Sequence, residues 1–190
     1  MASTVTAVLP VTGERWGDLE ALFGPRGAVA GCWCMWNLQT QREFDRLKGD
    51  DNRLLLQQRV LGGPPPGLLA YRGDEPVGWV ALGPRSIFGR IERSPVTRAV
   101  DDMPVFSVVC FFIPARHRRR GVGAALLTAA EEYARIQGAT ILEAYPVEPR
   151  SDEMPGVYAW MGVSSMFFDA GYEEVARRSP TRPVVRKALT

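Results

Sequence analysis

Long hydrophobic runs, a large net charge and a disulfide framework are all missing from this sequence of 190 residues. No apolar run approaches the roughly 20 residues that span a bilayer, and segment 2–11 lacks the basic start of a signal peptide. The formal net charge of +2 is too small to indicate a nucleic-acid or membrane-surface protein. Three cysteines in a chain of this length do not indicate paired disulfides. We therefore expect a cytoplasmic protein of one domain, with no nucleic acid and no membrane among its partners.

Metal ligands are also scarce. Cys32 and Cys34 are separated by a single residue, which is unusual for zinc, and the only histidine is His117. The sequence therefore predicts no metal site. We interpret the two cysteines as small apolar residues in a packed loop, in preference to a chemical role for sulfur. If this loop has a function, we expect its large side chains to form walls of a substrate pocket. These residues are Trp33, Met35 and Trp36.

One stretch near the middle of the chain combines a strand, a cationic turn and a helix. Residues 106–113 are apolar and rich in Val, Ile and Phe without helical spacing, which predicts a buried strand. The basic turn 116–120 leads into Gly121-Val122-Gly123, and apolar residues then recur at helical spacing as far as Gly138. Because the start of a helix presents unpaired backbone N–H groups at its positive end, we expect an anion site for a ligand that carries phosphate.

The cationic turn has an alternative interpretation. Four arginines and a histidine in succession are usually a solvated surface, and elsewhere they would indicate a nucleic-acid patch. Two common phosphate loops do not fit, because no Lys-Ser/Thr pair follows the glycines and no third glycine stands where a dinucleotide fold has one. The position of the turn between a strand and a Gly-x-Gly helix start favours a cofactor phosphate.

The pattern Arg118-x-x-Gly121-x-Gly123 resembles the acetyl-CoA pyrophosphate loop of the GNAT superfamily of N-acetyltransferases. Later segments match that family in order: a strand at 140–145, the aromatic and glycine pattern of 167–172, and a terminal hairpin at 173–189. The resemblance implies one α/β domain with a mixed, partly splayed β-sheet flanked by helices. It also implies an acetyl-CoA-binding core from about residue 67 to 190, and N-terminal helices with a substrate-side loop in about residues 1–66.

The resemblance further implies where acetyl-CoA binds as co-substrate. Its pantetheine arm would lie along the end of the strand at 111–113, and Arg118 with the turn backbone would hold the pyrophosphate. Neighbouring arginines would meet the 3′-phosphate, and Ser164 would either bond the arm or cap the last helix. The expected cofactor residues are Phe111, Phe112, Ile113, Arg118, Arg119, Arg120, Gly121, Val122, Gly123, Ala124 and Ser164.

Glu143 is the main candidate for proton transfer. A carboxylate in a strand that should be buried on both faces is either a base for the amine or a partner of an arginine in the expected loop 83–103. Many relatives carry their base in the preceding strand, which has no carboxylate here, and Phe167 stands where they often have a tyrosine acid. Catalysis by positioning and water is a further alternative. The expected catalytic residues are Glu143, Tyr145 and Tyr158, with Asp101 and Asp102 as alternative bases.

The function implied by the resemblance is transfer of an acetyl group from acetyl-CoA to a primary amine of a small molecule. Acetylation of a protein lysine or N-terminus is one alternative, and a non-catalytic acetyl-CoA sensor is another. The apolar pair Val184-Val185 is expected at an exposed edge of the terminal hairpin, which would allow a homodimer. The basic residues and the proline around this pair could equally protect the edge.

Overall fold

The computed structural model describes residues 5–149 and 159–189, and its strands form one mixed sheet. The strands are β1 (Ala7–Pro10), β2 (Gly67–Arg72), β3 (Glu75–Pro84), β4 (Phe106–Phe112), β5 (Ile141–Ala144), β6 (Glu173–Arg177) and β7 (Pro183–Ala188). Their order in the sheet is β1-β2-β3-β4-β5-β7-β6. Only the pair β4 and β5 is parallel, and all other neighbours are antiparallel.

Helices cover both faces of this sheet. They are α1 (Trp16–Phe23), α2 (Gln41–Leu47), α3 (Asp50–Gly62), α4 (Gly89–Arg93), α5 (Val122–Ile136) and α6 (Ser164–Asp169). Thr40 and Glu43 form a reciprocal capping box at the start of α2, which sets where that helix begins. The short helix α4 lies in the region 83–103 that we expected as a loop, because Ile91 is buried in the core there.

The strands β4 and β5 separate after a short parallel pairing. Residues 106–108 of β4 pair with 142–144 of β5, and the rest of β4 has no partner in β5. On the other side of β4, Ala81 faces Cys110 and Leu82 faces Val108, so Val109 is an extra residue in the ladder. A bulge of this kind bends its strand, which explains why β4 leaves β5 at this point. The expectation of a partly splayed sheet is confirmed.

Two apolar clusters hold the layers together. Trp79 and Val109 face α1 and the chain that follows it, whereas Val80 and Phe111 face α5. Trp79 and Val80 follow the alternation of side chains along a strand, whereas Val109 and Phe111, two positions apart, face opposite sides because of the bulge at Val109. The helix α5 ends at Ile136, and Gly138, which follows the C-cap residue, takes the expected left-handed angle with a φ of 83°.

The expected exposed edge at Val184 and Val185 is wrong. Strand β7 lies inside the sheet between β5 and β6, and both valines are fully buried. The hairpin attaches to β5 through its second strand, so the polar first strand β6 forms the edge instead. In the described part of the chain, no helix has the length and apolar character needed to cross a membrane.

Candidate functional site

The basic turn after β4 and the first residues of α5 together form residues 116–124, which we call the cofactor turn. Gly121 precedes the helix with a φ of 76°, and no side chain caps this helix start. A Cβ at Gly121 would meet nothing within 4 Å, so the backbone angle is the reason for glycine there. A Cβ at Gly123 would lie 3.0 Å from Met166 Sδ. The first N–H groups of α5 are therefore left to a ligand or to water.

Two of the four arginines in the cofactor turn contact other protein groups, and the other two form no ion pair with the described residues. Arg116 and the buried His117 face Glu75, with His117 Nε2 and Arg116 Nη2 each 3.3 Å from Glu75 Oε1. Arg118 Nε donates to the Ile113 carbonyl at 2.8 Å. The last two arginines of the turn, 119 and 120, are exposed and form no ion pair with the described residues. Their charge is available to an anion at the start of α5.

His117 anchors the turn to the β2–β3 hairpin. Arg72 Nη1 lies 3.3 Å from His117 Nδ1, and since a guanidinium can only donate, Nδ1 accepts. The other ring nitrogen then carries the proton that faces Glu75. Burial lowers the pKa of His117, and the positive charges of Arg116 and Arg72 act in the same direction, while Glu75 opposes them.

The free end of β4 already has a partner on its open side. Phe111 N–H donates to the Trp160 carbonyl at 2.6 Å, and the Phe111 ring packs edge-on against Phe167. Ser164 begins α6, but Val163 is its N-cap residue and no side chain caps this helix. The alternative that Ser164 caps the helix is therefore wrong. A cofactor arm that pairs with Phe111 has to displace the Trp160 carbonyl.

Glu143 lies at the centre of a buried polar network. Its side chain is 0% exposed and receives three donors: Arg85 Nη1 at 3.2 Å, Arg186 Nε at 2.7 Å and the Tyr145 hydroxyl at 2.5 Å. Arg85 belongs to the region 83–103, so the ion pair that the sequence left as an alternative is present. Burial and the charge of Glu143 raise the pKa of Tyr145 well above its usual range, so its hydroxyl stays protonated.

Two more carboxylates lie around this network. Asp101 binds Arg186 at 2.6 and 3.0 Å, and this contact lowers the pKa of Asp101. Glu92 binds Arg85 from the other side at 2.9 Å. Asp102 is exposed. Tyr158 lies outside the described residues. In the part of the chain that the structure covers, no group of three or more His, Cys, Asp or Glu side chains could hold a metal ion.

An apolar cavity of about 360 Å³ lies beside the bulged end of β4. One wall is formed by residues 28–30, Cys32, Cys34 and Trp36, and the opposite wall by Cys110–Phe112 and Trp160. Trp36, one of the three residues that we expected to form pocket walls, lines this cavity. Trp33 instead packs in the core against Trp16, with ring centroids 6.1 Å apart, and Met35 borders a separate groove beside α2 and α3.

Sequence reasoning did not find Cys110, which lines this cavity, or Asn37, which binds the bulge of β4. Cys110 lies with its sulfur 3.3 Å from that of Cys34. Asn37 is buried, and its Nδ2 donates to the carbonyl of the bulge residue Val109 at 3.0 Å. Alternation along β4 could have placed Cys110 on the face opposite Phe111. Nothing local in the sequence links either residue to the partner that it meets.

A bulged strand that leaves its parallel neighbour beside an uncapped helix start belongs to the acetyltransferase class of fold. The sequence profile of the Acetyltransferase (GNAT) family matches residues 32–162, and the chain belongs to that family. It is an acyltransferase whose co-substrate is acetyl-CoA. No curated protein matches the chain.

Solved structures with the same fold are distant in sequence. An acetyltransferase from Thermus thermophilus is 20% identical, with full coverage of both chains and a TM-score of 0.52. The PaiA N-acetyltransferase from Thermoplasma acidophilum, solved with coenzyme A, is 12% identical, covers 96% of this chain and 98% of its own, and has a TM-score of 0.53. An agmatine N-acetyltransferase variant is 14% identical, with coverages of 96% and 99% and a TM-score of 0.55.

Proposed function

We propose that this protein transfers an acetyl group from acetyl-CoA to the primary amine of a small molecule. The observation that carries the proposal is the apolar cavity, because one of its walls is the segment Cys110–Phe112 at the free end of β4. The cofactor arm is expected beside the same strand. An acceptor in the cavity would therefore meet the thioester where β4 and β5 separate.

The cofactor turn is proposed to hold the phosphates. The uncapped start of α5 offers N–H groups to the pyrophosphate, with Arg118 beside it. Arginines 119 and 120, which form no ion pair with the described residues, are proposed for the 3′-phosphate of the adenosine. Ser164, buried at the start of α6, remains a proposed contact of the pantetheine arm.

The chemistry needs a neutral amine close to the thioester carbon. The nitrogen attacks that carbon, the bond to sulfur breaks, and the thiolate of coenzyme A leaves while the new amide nitrogen loses a proton to water. The three donors on Glu143 support its role as an ion-pair partner that links the segment after β3 to β5 and β7, and its role as a base stays a prediction. Catalysis then rests on positioning, which can supply a large part of the rate for an activated ester.

The assay is release of the coenzyme A thiol from acetyl-CoA in the presence of a panel of small amines. We expect thiol release and acetylated amine in equal amounts, the second measured by mass spectrometry. Tight binding of coenzyme A without turnover of any amine would contradict the proposal and favour the sensor alternative. The cytoplasmic location, the homodimer and the division near residue 67 stay predictions.

A further inference from the structure

The cavity beside β4 is neutral throughout its described lining. Its walls are alkyl groups, aromatic rings and three thiols, those of Cys32, Cys34 and Cys110. Burial, and secondarily the neighbouring Cys34, raises the pKa of Cys32 to about 11. Both thiols of the loop are therefore uncharged at neutral pH and act as apolar surface, since the pKa of Cys34 is also raised. No carboxylate, ammonium or guanidinium belongs to the described lining.

The cavity is much larger than an acetyl group requires. Its volume of about 360 Å³ lies in the range of pockets for small molecules. An acetyl group has three heavy atoms, and one water molecule occupies about 30 Å³ of liquid, so most of the cavity is left for the acceptor. The acceptor body therefore has room for a ring or a branched chain.

Trp36 forms a fixed wall with a positive charge behind it. The guanidinium carbon of Arg90 lies 3.7 Å from the centre of the Trp36 ring, and Arg90 Nε donates to the Trp36 carbonyl at 2.8 Å. The ring of Phe44 packs edge-on against Trp36 at 4.8 Å. A second positive charge on the acceptor would be repelled by Arg90 and would find no carboxylate among the described lining residues. A carboxylate on the acceptor would lose its hydration without gaining a donor from the inner walls.

Backbone strain is concentrated in the wall opposite β4. We call residues 27–36 the pocket loop. In the described chain five residues other than glycine have a positive φ, and four of them are Ala28, Ala30, Trp33 and Cys34. Such angles persist only where tertiary contacts hold them, and they often occur at ligand sites. Here the Cys34 sulfur accepts from Trp79 Nε1 at 3.1 Å and contacts Cys110, so the loop is held against the core.

We propose that the acceptor is an apolar monoamine: one primary amine on an aromatic or aliphatic body, with no carboxylate and no second ammonium group. The body fills the cavity between Trp36 and Cys110, and the nitrogen points toward the free end of β4. This inference rests on the proposed acetyl transfer and names the substrate class of the same site.

Two matched pairs of amines test the class. Phenylethylamine and phenylalanine differ only by a carboxylate, and butylamine and 1,4-diaminobutane differ only by a second ammonium group. We expect kcat/KM to favour the first member of each pair by about a hundredfold, because a buried unpaired charge is strongly disfavoured. Equal or better turnover of the charged members would overturn the inference while leaving acetyl transfer intact. No turnover of any amine would instead contradict acetyl transfer itself.

A variant places a charge in the cavity wall. Cys32→Asp adds a carboxylate where the described lining has none, and Cys32→Ser is the uncharged control of similar size to the cysteine. We expect Cys32→Asp to shift the preference within the butylamine pair toward 1,4-diaminobutane by about tenfold or more, with no such shift in Cys32→Ser. Melting temperature and coenzyme A affinity report whether each variant is folded. A folded Cys32→Asp protein with an unchanged preference would overturn the assignment of this cavity to the acceptor.

Discussion

The cofactor turn and the pocket loop both contain residues with a positive φ, but the turn is charged and the loop is neutral. Between them they contain all five positive-φ residues other than glycine in the described chain, with Arg119 in the turn and four in the loop. The turn is exposed and charged, and it uses Gly121 where the angle is most demanding. The pocket loop is neutral and mainly buried or half-buried, and it places Ala, Trp and Cys as well as Gly27 and Gly31 at positive φ. A phosphate site needs only local backbone and charge, whereas a site for a particular acceptor is shaped by tertiary contacts.

The prediction with the largest expected effect concerns Glu143. It tests whether acetyl transfer uses this buried carboxylate as a base. Replacing Glu143 by Gln removes the charge between Arg85 and Arg186, and breaking a buried pair in this way costs about 3–5 kcal/mol. We expect a much lower melting temperature with turnover per folded molecule nearly unchanged. Glu92→Gln is the control, because Glu92 also binds Arg85 but is 39% exposed, and its loss should cost under about 1 kcal/mol. A stable Glu143→Gln protein whose turnover falls about a hundredfold would restore Glu143 as the base.

The second prediction tests whether coenzyme A binding depends on Gly121 in particular, and not on backbone strain at any glycine with a positive φ. Gly121→Val puts a β-branched residue at a φ of 76° and crowds the helix start, so we expect coenzyme A to bind about a hundredfold more weakly. Gly138→Val is the matched control, since Gly138 has a φ of 83° and its Cβ would also meet nothing within 4 Å. Calorimetry on both folded variants measures their coenzyme A affinities. Unaltered coenzyme A affinity in Gly121→Val would remove the turn from the cofactor site.

The third prediction probes the pocket loop in the same way. A Cβ at Gly27 would lie 2.2 Å from Trp33 Nε1, so Gly27→Ala should lower stability by about 2 kcal/mol and disturb acceptor binding. Gly24→Ala has a similar φ of 64° but no contact within 4 Å, and should cost less. We expect the KM for the amine to rise in Gly27→Ala while the coenzyme A affinity of the folded protein stays the same. Equal effects of the two glycine variants would show that the packing of Trp33 affects neither the stability nor the KM for the amine.

Salt distinguishes the two regions without any substitution. Contacts to phosphate at an exposed, charged turn are screened by ions, so coenzyme A affinity should fall by about three- to tenfold between low and high salt. The KM of an apolar amine at saturating acetyl-CoA should hardly change, since the described lining of the cavity carries no charge. Titrations at several concentrations of sodium chloride measure both quantities. A strong salt dependence of the amine KM would contradict the neutral pocket.

The smallest effect concerns pH and is confined to the cofactor turn. Burial lowers the pKa of His117 below its ordinary value of 6.5, so the unfolded chain binds this proton more readily than the folded one. The stability contributed by neutral His117 is therefore complete above about pH 6.5 and is lost as the pH falls toward the folded pKa. Melting temperatures at pH 5 and 7.5 should differ less in His117→Gln than in the natural sequence. Hydrogen exchange should locate the loss at the turn, and exchange that rises first in the pocket loop would contradict this account.

Much of the fold could be predicted from local sequence. The apolar strand at 106–113, the glycines of the turn and the helical spacing after them are all short-range features. They predicted β4 and α5 within a residue or so of the observed bounds. Their prediction succeeds because a strand, a left-handed glycine and an amphipathic helix each depend on residues within a few positions of one another.

The tertiary structure alone decided which distant residues meet. The terminal hairpin was predicted, but which of its strands pairs with β5 depends on burial of Val184 and Val185, and that reversed the expected edge. Glu143 found its partners 58 and 43 residues away, so the same carboxylate could be interpreted as a base or as an ion pair until Arg85 and Arg186 were placed. The sequence by itself determined the cofactor turn, because glycine angles and arginine charge are local properties. The cavity, the pairing of Cys34 with Cys110 and the bulge held by Asn37 were decided only by packing between segments that are far apart in the chain.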